Sequence, residues 1–352
     1  MRLPGTPNEN DALGFLGALF CTLVLCALTA CEKSGTPDWT TSGTRAPVSS
    51  AEKVPEKTPP IADEAAPLPP SAIPASASSG KLRFITYNVE NWLTMDRESG
   101  GKTLKSVPKP ESEKQAVVAL LARHAPDIIG LCEIGEAKDL AEIQADLKAA
   151  GLDLPHSHYT GGSDPVRHLG LISRFPIIST AKPAETEYRH AGQTFAINRG
   201  ILDATVTAHG KTYRFLGAHL KSKRDSEQGD QEAIRLNEAR LLRRHIDTLF
   251  NANENARIVV YGDLNDTRAT PAIRTITGNH NDPTSLTAIP AKDSRNDSWT
   301  YHWALHDLYS RIDYVMVSRA LREEVNFPAA KVIDDTGWDT ASDHRPVLTV
   351  FR

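Results

Sequence analysis

Apolar and polar positions divide the chain into three stretches of different character. From Ala12 to Ala30 almost every residue is apolar or small, and the run ends at Leu28-Thr29-Ala30-Cys31. From Glu32 to Gly80 large apolar residues nearly vanish, and Pro, Ser, Thr and Ala dominate, the composition of a disordered tether. Periodic patterns begin at Lys81. Leu82, Phe84, Ile85 and Tyr87 predict a strand ending at Asn88. Ala116, Val117, Leu120 and Leu121 share one side of a helix over Glu111–His124, which Pro126 stops. Asp127 to Glu133 is a short buried strand, and Leu140, Ile143 and Leu147 mark a helix from Asp139 to Ala150. Gly170 to Ile178 predicts two strands broken at Pro176, and Gly200–Ala208 with Thr212–His219 a hairpin around His209-Gly210. A long helix over Gln228–Asn251, a strand Arg257–Asp263, an apolar run Ile312–Val317 and a last strand Val347–Phe351 complete the pattern. Strands that come both as hairpin neighbours and with helices between them require a mixed sheet or two packed sheets flanked by helices, not a uniform parallel barrel.

Composition refines this picture at the N-terminus. Small residues before Cys31 resemble a lipobox, in which the cysteine is lipidated and becomes the mature N-terminus; the alternative is an uncleaved membrane anchor. Only Arg2 supplies side-chain positive charge before the run, opposed by Glu9 and Asp11. Three regions follow: a lipoprotein-type signal over 1–31, a tether over 32–80 and a folded body over 81–352, held outside the cytoplasm at a membrane and expected to act as a monomer. Cys21 and Cys26 lie in the apolar run, so Cys132 alone belongs to the body, and no internal disulfide is available to it. Cys132 lies between Leu131 and Glu133 and reads as a buried small hydrophobe. A formal net charge of −4 does not supply tight, nonspecific duplex binding through charge alone. Of the basic clusters, Lys221-Ser222-Lys223-Arg224 suits phosphate contact, while Arg235, Arg240, Arg243 and Arg244 read as a solvated helix face.

The candidate chemistry sits where strands end: Asn88 with Glu90-Asn91, Glu133, His219, Asp263 with Asn265, Asp313, and Asp343-His344. In layered α/β folds such positions converge on a crevice. Acids, amides and histidines gathered there suit Mg²⁺ and phosphate. His156, His158, His168, His302 and His306 have no motif around them and read as structural or surface residues.

Thr86-Tyr87-Asn88-Val89-Glu90-Asn91, Gly130-Leu131-Cys132-Glu133, Gly170 to Arg174, Gly217-Ala218-His219-Leu220, Gly262-Asp263-Leu264-Asn265, Ser310 to Asp313 and Ser342-Asp343-His344 stand in a characteristic order. This series resembles the endonuclease/exonuclease/phosphatase superfamily, which includes DNase I-like nucleases, abasic-site endonucleases, sphingomyelinases and inositol polyphosphate phosphatases. The resemblance covers Lys81 to the C-terminus and implies an α/β fold, a four-layer α/β/β/α sandwich of two mixed sheets covered by helices. It implies Glu133, with Asn88 beside it, as ligands of Mg²⁺ or Mn²⁺, and Asp343 as a further ligand or a support for the histidine. His344 matches the histidine paired with the scissile phosphate, and Asp263 the residue that orients or deprotonates water. Asp263 and His344 both remain candidate bases. Asn265 matches a phosphate contact, His219 a histidine at the phosphate or leaving oxygen, and Asp313 an acid supporting His344 or a metal. Arg199 resembles a phosphate-facing arginine of some members or is a rim charge, and Lys221 is a further candidate phosphate contact.

Val260, two residues before the Gly of Gly262-Asp263-Leu264-Asn265, departs from the tryptophan of inositol phosphatases, and so does Asp266-Thr267 after the motif. The opening motif and His219 to Lys223 are closer to secreted bacterial nucleases. The implied activity is therefore a Mg²⁺-dependent phosphodiesterase acting on DNA or RNA. A phospholipid or small phosphate ester is the alternative substrate, and a non-catalytic binding lipoprotein the alternative class.

Overall fold

The computed structural model describes residues 80–224 and 229–352. The signal, Cys31 and all but the last residue of the tether lie outside these residues. Among the described residues, no helix is long and apolar enough to cross a membrane.

Two six-stranded sheets form the body. The first runs Lys331–Val332, Val347–Phe351, Leu82–Trp92, Ile128–Ile134, His168–Ser173 and His156–Thr160. The second runs Leu286–Ala288, Asp313–Ser318, Ile258–Asp263, Lys211–Ala218, Ile201–Ala208 and Ile177–Thr180. Each sheet holds one parallel pair joined through a helix: Leu82–Trp92 and Ile128–Ile134 through α1 (Glu111–His124), and Lys211–Ala218 and Ile258–Asp263 through α3 (Gln231–Ala252). The remaining pairs are antiparallel, so both sheets are mixed.

Alternation along the strands creates three apolar layers. Phe84, Cys132, Phe215, Val259, Tyr261 and Val315 pack between the sheets. Their neighbours Ile85 and Ile129 turn outward against α1 and α2 (Ala137–Ala149). Val260 and Met316 turn outward against α3 and α4 (Pro271–Thr277). The result is the α/β/β/α sandwich implied by the motifs.

Two motif glycines serve this packing. A Cβ on Gly130 would stand 2.1 Å from the Tyr261 ring, and one on Gly217 would stand 2.6 Å from its hydroxyl. The phenol crosses from one sheet toward the other through the space these glycines leave, with its oxygen 3.4 Å from the Gly170 carbonyl.

Several sequence expectations change in detail. The first strand continues past Asn88 to Trp92. The helix expected over Gln228–Asn251 begins at Gln231, where Asp230 accepts hydrogen bonds from the backbone N–H groups of Glu232 and Ala233 as its N-cap. Arg235 does not belong to a solvated face: it is buried, 2.9 Å from Asp266 Oδ2, because its turn of α3 faces the sheet. Arg243 also turns back, donating to the carbonyls of Ile276 and Thr284, while Arg240 and Arg244 stay exposed. Cys132 is fully buried, as expected.

Candidate functional site

The parallel pairs bring four positions at or near the C-terminal ends of their strands to one rim. Asn88 and Glu133 come from the first sheet, and His219 and Asp263 from the second. Asp313 begins the strand that pairs antiparallel with Ile258–Asp263, directly opposite Asp263. His344 arrives from the segment before Val347–Phe351, bridged to Tyr301.

Asn88 links the sheets. Its Nδ2 donates to Glu133 Oε1 and to Asp263 Oδ2, each at 3.1 Å, while its Oδ1 accepts from the Glu90 N–H. Glu133 Oε2 accepts from the Asn91 N–H at 3.0 Å and lies 3.8 Å from Arg167 Nε. The backbone bends sharply here: Glu90, Asn91, Glu133 and Asn265 all have positive φ, at 47°, 58°, 65° and 52°. Non-glycine residues persist there only when their surroundings hold them, and such strain clusters at functional sites. Gly262, with φ 126°, admits the Ala218 carbonyl where a Cβ would stand 2.0 Å from the oxygen.

His344 and Asp313 form a tight pair. His344 Nδ1 stands 2.8 Å from Asp313 Oδ2, and the Asp313 N–H is itself held by Thr300 Oγ1. The other ring nitrogen faces Asp263 Oδ2 at 3.7 Å and Asp343 Oδ1 at 3.9 Å. Tyr301 covers the imidazole, with ring centroids 4.7 Å apart. Burial disfavours charge on His344, but Asp313, Asp263 and Asp343 outweigh it and raise its pKa well above the ordinary imidazole value. Asp263 is pushed up to about 7 by burial, against the pull of His344.

His219 behaves oppositely. Burial, then the charges of Arg199 and His344, hold its pKa well below the ordinary value. Its Nε2 lies 3.5 Å from Asp263 Oδ2 and 4.0 Å from Glu133 Oε1. Its Nδ1 is buried without a hydrogen bond among the described residues. Burial and the neighbouring charges therefore shift the two imidazoles in opposite directions within one site.

Asp343 lies at the mouth, its side chain 31% exposed, and its N–H donates to Glu90 Oε2 at 3.0 Å. Burial and repulsion from Asp343 push Glu90 up to about 7. Burial also raises Asp343. Carboxylates that resist ionising together are the donor chemistry a hard divalent cation relieves. Glu133, Asp343, Glu90 and the Asn88 amide supply oxygen donors of that class. Asp263, Asp313 and His344 also place one ligand atom each within 4.8 Å of one another and could hold an ion. The short Nδ1 contact with Asp313 engages one ring nitrogen of His344 and leaves Nε2 as the atom that faces Asp263 and Asp343.

Asn265 ties the acid to the loop after His219: its N–H donates to Asp263 Oδ1, and its Nδ2 to the Leu220 carbonyl at 2.9 Å. Arg199 and Lys221 are both buried beside the site. Arg199 stands 3.3 Å from Asp164, and neither its Nε nor its Nη1 makes a hydrogen bond among the described residues. Lys223 is spent on Asp266 at 3.0 Å. Arg167, which also donates to Asn91 Oδ1 at 2.8 Å, and Tyr301 have no sequence signal, since neither falls in a motif or a periodic pattern. Glu90 and Asn91 were visible as polar residues after the first strand.

Several solved structures share the fold. An endonuclease/exonuclease/phosphatase from Bacteroides vulgatus is 18% identical, with a TM-score of 0.54 over 77% of this chain and 98% of that one. Sphingomyelinase C from Streptomyces griseocarneus is 15% identical, with a TM-score of 0.51 over 77% and 99%. A beta toxin variant from Staphylococcus aureus with bound magnesium ions is 14% identical, with a TM-score of 0.53 over 77% and 100%. No curated protein sequence matches the chain. The family model described as Endonuclease/Exonuclease/phosphatase family matches residues 86–344, from the first motif to the histidine of the last, and the chain belongs to that family of phosphoester hydrolases.

Proposed function

We propose that this protein is a divalent-metal-dependent phosphodiesterase that cleaves nucleic acid outside the cytoplasm. The observation that carries the hydrolytic chemistry is the Asp313–His344 pair, whose free nitrogen faces Asp263 while Asn88 ties Asp263 to Glu133. Asp263 orients the attacking water and accepts its proton. His344, kept cationic by Asp313, donates from Nε2 to a phosphoryl oxygen and offsets its growing charge. His219 is neutral and offers a hydrogen bond rather than a proton. The water oxygen bonds to phosphorus as the ester P–O bond breaks, and the departing oxygen takes its proton from solvent.

Glu133, Asn88 and Asp343, with Glu90 beside them, would hold the cation, Mg²⁺ or Mn²⁺ by their oxygen donors. Such an ion supplies Lewis-acid neutralisation of phosphate charge.

Arg199 and Lys221 support a polyanionic substrate, as do Arg167 beside Glu133 and Arg224 beside Tyr301. The apolar run ending at Cys31 supports a lipid-tethered enzyme on the outer side of a membrane. A second substrate class has its own observation. Trp303, Leu305, Leu308 and Tyr309 are exposed on the hairpin that begins at Tyr301, a surface suited to a phospholipid headgroup ester. Incubation with plasmid DNA, RNA, sphingomyelin and bis-p-nitrophenyl phosphate, with Mg²⁺ or chelator, separates the two. Chelator-sensitive cleavage of DNA or RNA is expected. Turnover confined to lipid establishes the second class, and no turnover with any divalent ion overturns both.

A further inference from the structure

Glu238 lies in the middle of α3, outside every motif, yet its carboxylate is fully buried. Among the described residues neither oxygen meets a side-chain donor. Oε1 accepts the Asn198 N–H at 2.9 Å, and Oε2 accepts the Lys221 N–H at 2.6 Å. These amides belong to different loops: one leads into Ile201–Ala208 and carries Arg199, and the other leaves Lys211–Ala218 and carries His219. A single buried anion therefore joins the backbones that present Arg199, His219 and Lys221.

The energetics of that placement are specific. An isolated buried carboxylate costs several kcal/mol, so it persists only with hydrogen bonds and nearby positive charge. Burial raises the Glu238 pKa, opposed by the two N–H groups and by Arg199 and Lys221. The same two cations are themselves buried, and Arg199 keeps Nε and Nη1 free of hydrogen bonds among the described residues. Glu238 meets the loops through backbone only and so does not occupy the guanidinium; Asp164 pairs with its Nε at 3.3 Å, and Nη1 remains for another anion.

We infer that Glu238 is a positioning residue for substrate phosphate, acting through Arg199 and the His219–Lys221 loop without touching the substrate. This rests on the phosphoester reading of the site. Glu238→Gln keeps the shape but offers an acceptor to only one of the two N–H groups, since its NH₂ opposes the other. Loops that present binding groups, not reacting ones, predict loss of uniform binding: KM rises while kcat holds.

The test uses the full chain, with amide exchange at Asn198 and Lys221, affinity for inorganic phosphate, and steady-state hydrolysis of bis-p-nitrophenyl phosphate. Wild type is expected to protect both amides with or without phosphate. Glu238→Gln should speed exchange at one or both, weaken phosphate about tenfold, and raise KM by a similar factor with kcat within about threefold. In an Arg199→Ala background the Glu238→Gln change should weaken phosphate by less than in wild type, because one of the two loops it acts through has lost its guanidinium.

Unchanged phosphate affinity in a variant with loosened amides overturns the inference, and so do effects that simply multiply with those of Arg199→Ala. If Glu238→Gln does not fold, wild type still decides. Amides that become protected only when phosphate is added would show that the loops are not preorganised by Glu238, which overturns it. Wild type that hydrolyses no ester but binds phosphate in a Glu238-dependent way refutes the catalytic reading and leaves this inference standing.

Discussion

At the scale of single residues, opposite shifts of two neighbouring histidines mark the site. Asp313 raises the pKa of His344, and desolvation with nearby cations lowers that of His219. Asp313→Asn keeps the shape but removes the charge that stabilises the imidazolium. It should lower kcat by about 10²-fold or more, within the range for loss of a preorganised electrostatic group. His344→Ala should remove nearly all activity. Glu133→Gln should do so as well, and should also weaken divalent-ion binding measured by calorimetry. All three variants should remain folded at the assay temperature, as judged by circular dichroism. Full activity in either Glu133→Gln or His344→Ala contradicts the site assignment.

At the scale of elements, the motifs carry more than chemistry. Gly130 and Gly217 stand in motifs because the Tyr261 ring fills the space beside them. Gly130→Ala drives a methyl into that ring and should destabilise the fold by about 1–3 kcal/mol, the usual cost of overpacking. The urea midpoint should fall with little change in slope. An unshifted midpoint would mean that Tyr261 moves freely, contrary to its full burial between the sheets.

The same elements show what was legible in the sequence. Alternation and helical spacing exposed the strands around Asn88, Glu133 and Asp263, because buried faces impose a period. Order of the motifs exposed the corners of the site. The spacing reads Arg235 as solvated because it shows which side of a helix is apolar, not where a partner such as Asp266 stands across the chain. Glu238 and Arg167 stayed hidden for a related reason. Their roles depend on loops brought close by the fold, and no local pattern records such an approach.

At the scale of the whole molecule, the body has no disulfide to lean on, and ion pairs tie distant segments together around its three apolar layers. Asp203 lies buried between Arg214, bonded to it at 2.7 and 2.6 Å, and His245 at 2.7 Å. Burial alone would raise this carboxyl, but the bonds from His245 and Arg214 prevail and hold it below its ordinary value. Asp266, held by Arg235 and Lys223, and Asp335, held by Arg123 and His124, are depressed in the same way against burial. A carboxyl with a depressed folded-state pKa adds stability above its unfolded value, and that contribution disappears as pH falls through the folded one. The contribution of these three carboxyls should therefore be complete near neutrality and be lost below about pH 4, the ordinary aspartate value. Asp203→Asn should cost about 2 kcal/mol at pH 7, the scale of a hydrogen bond to a charged group, and should flatten the acid limb. Calorimetric scans of both proteins between pH 7 and pH 2 test this. An equal acid dependence in the variant would show that Asp203 is not among the carboxylates whose protonation unfolds the protein.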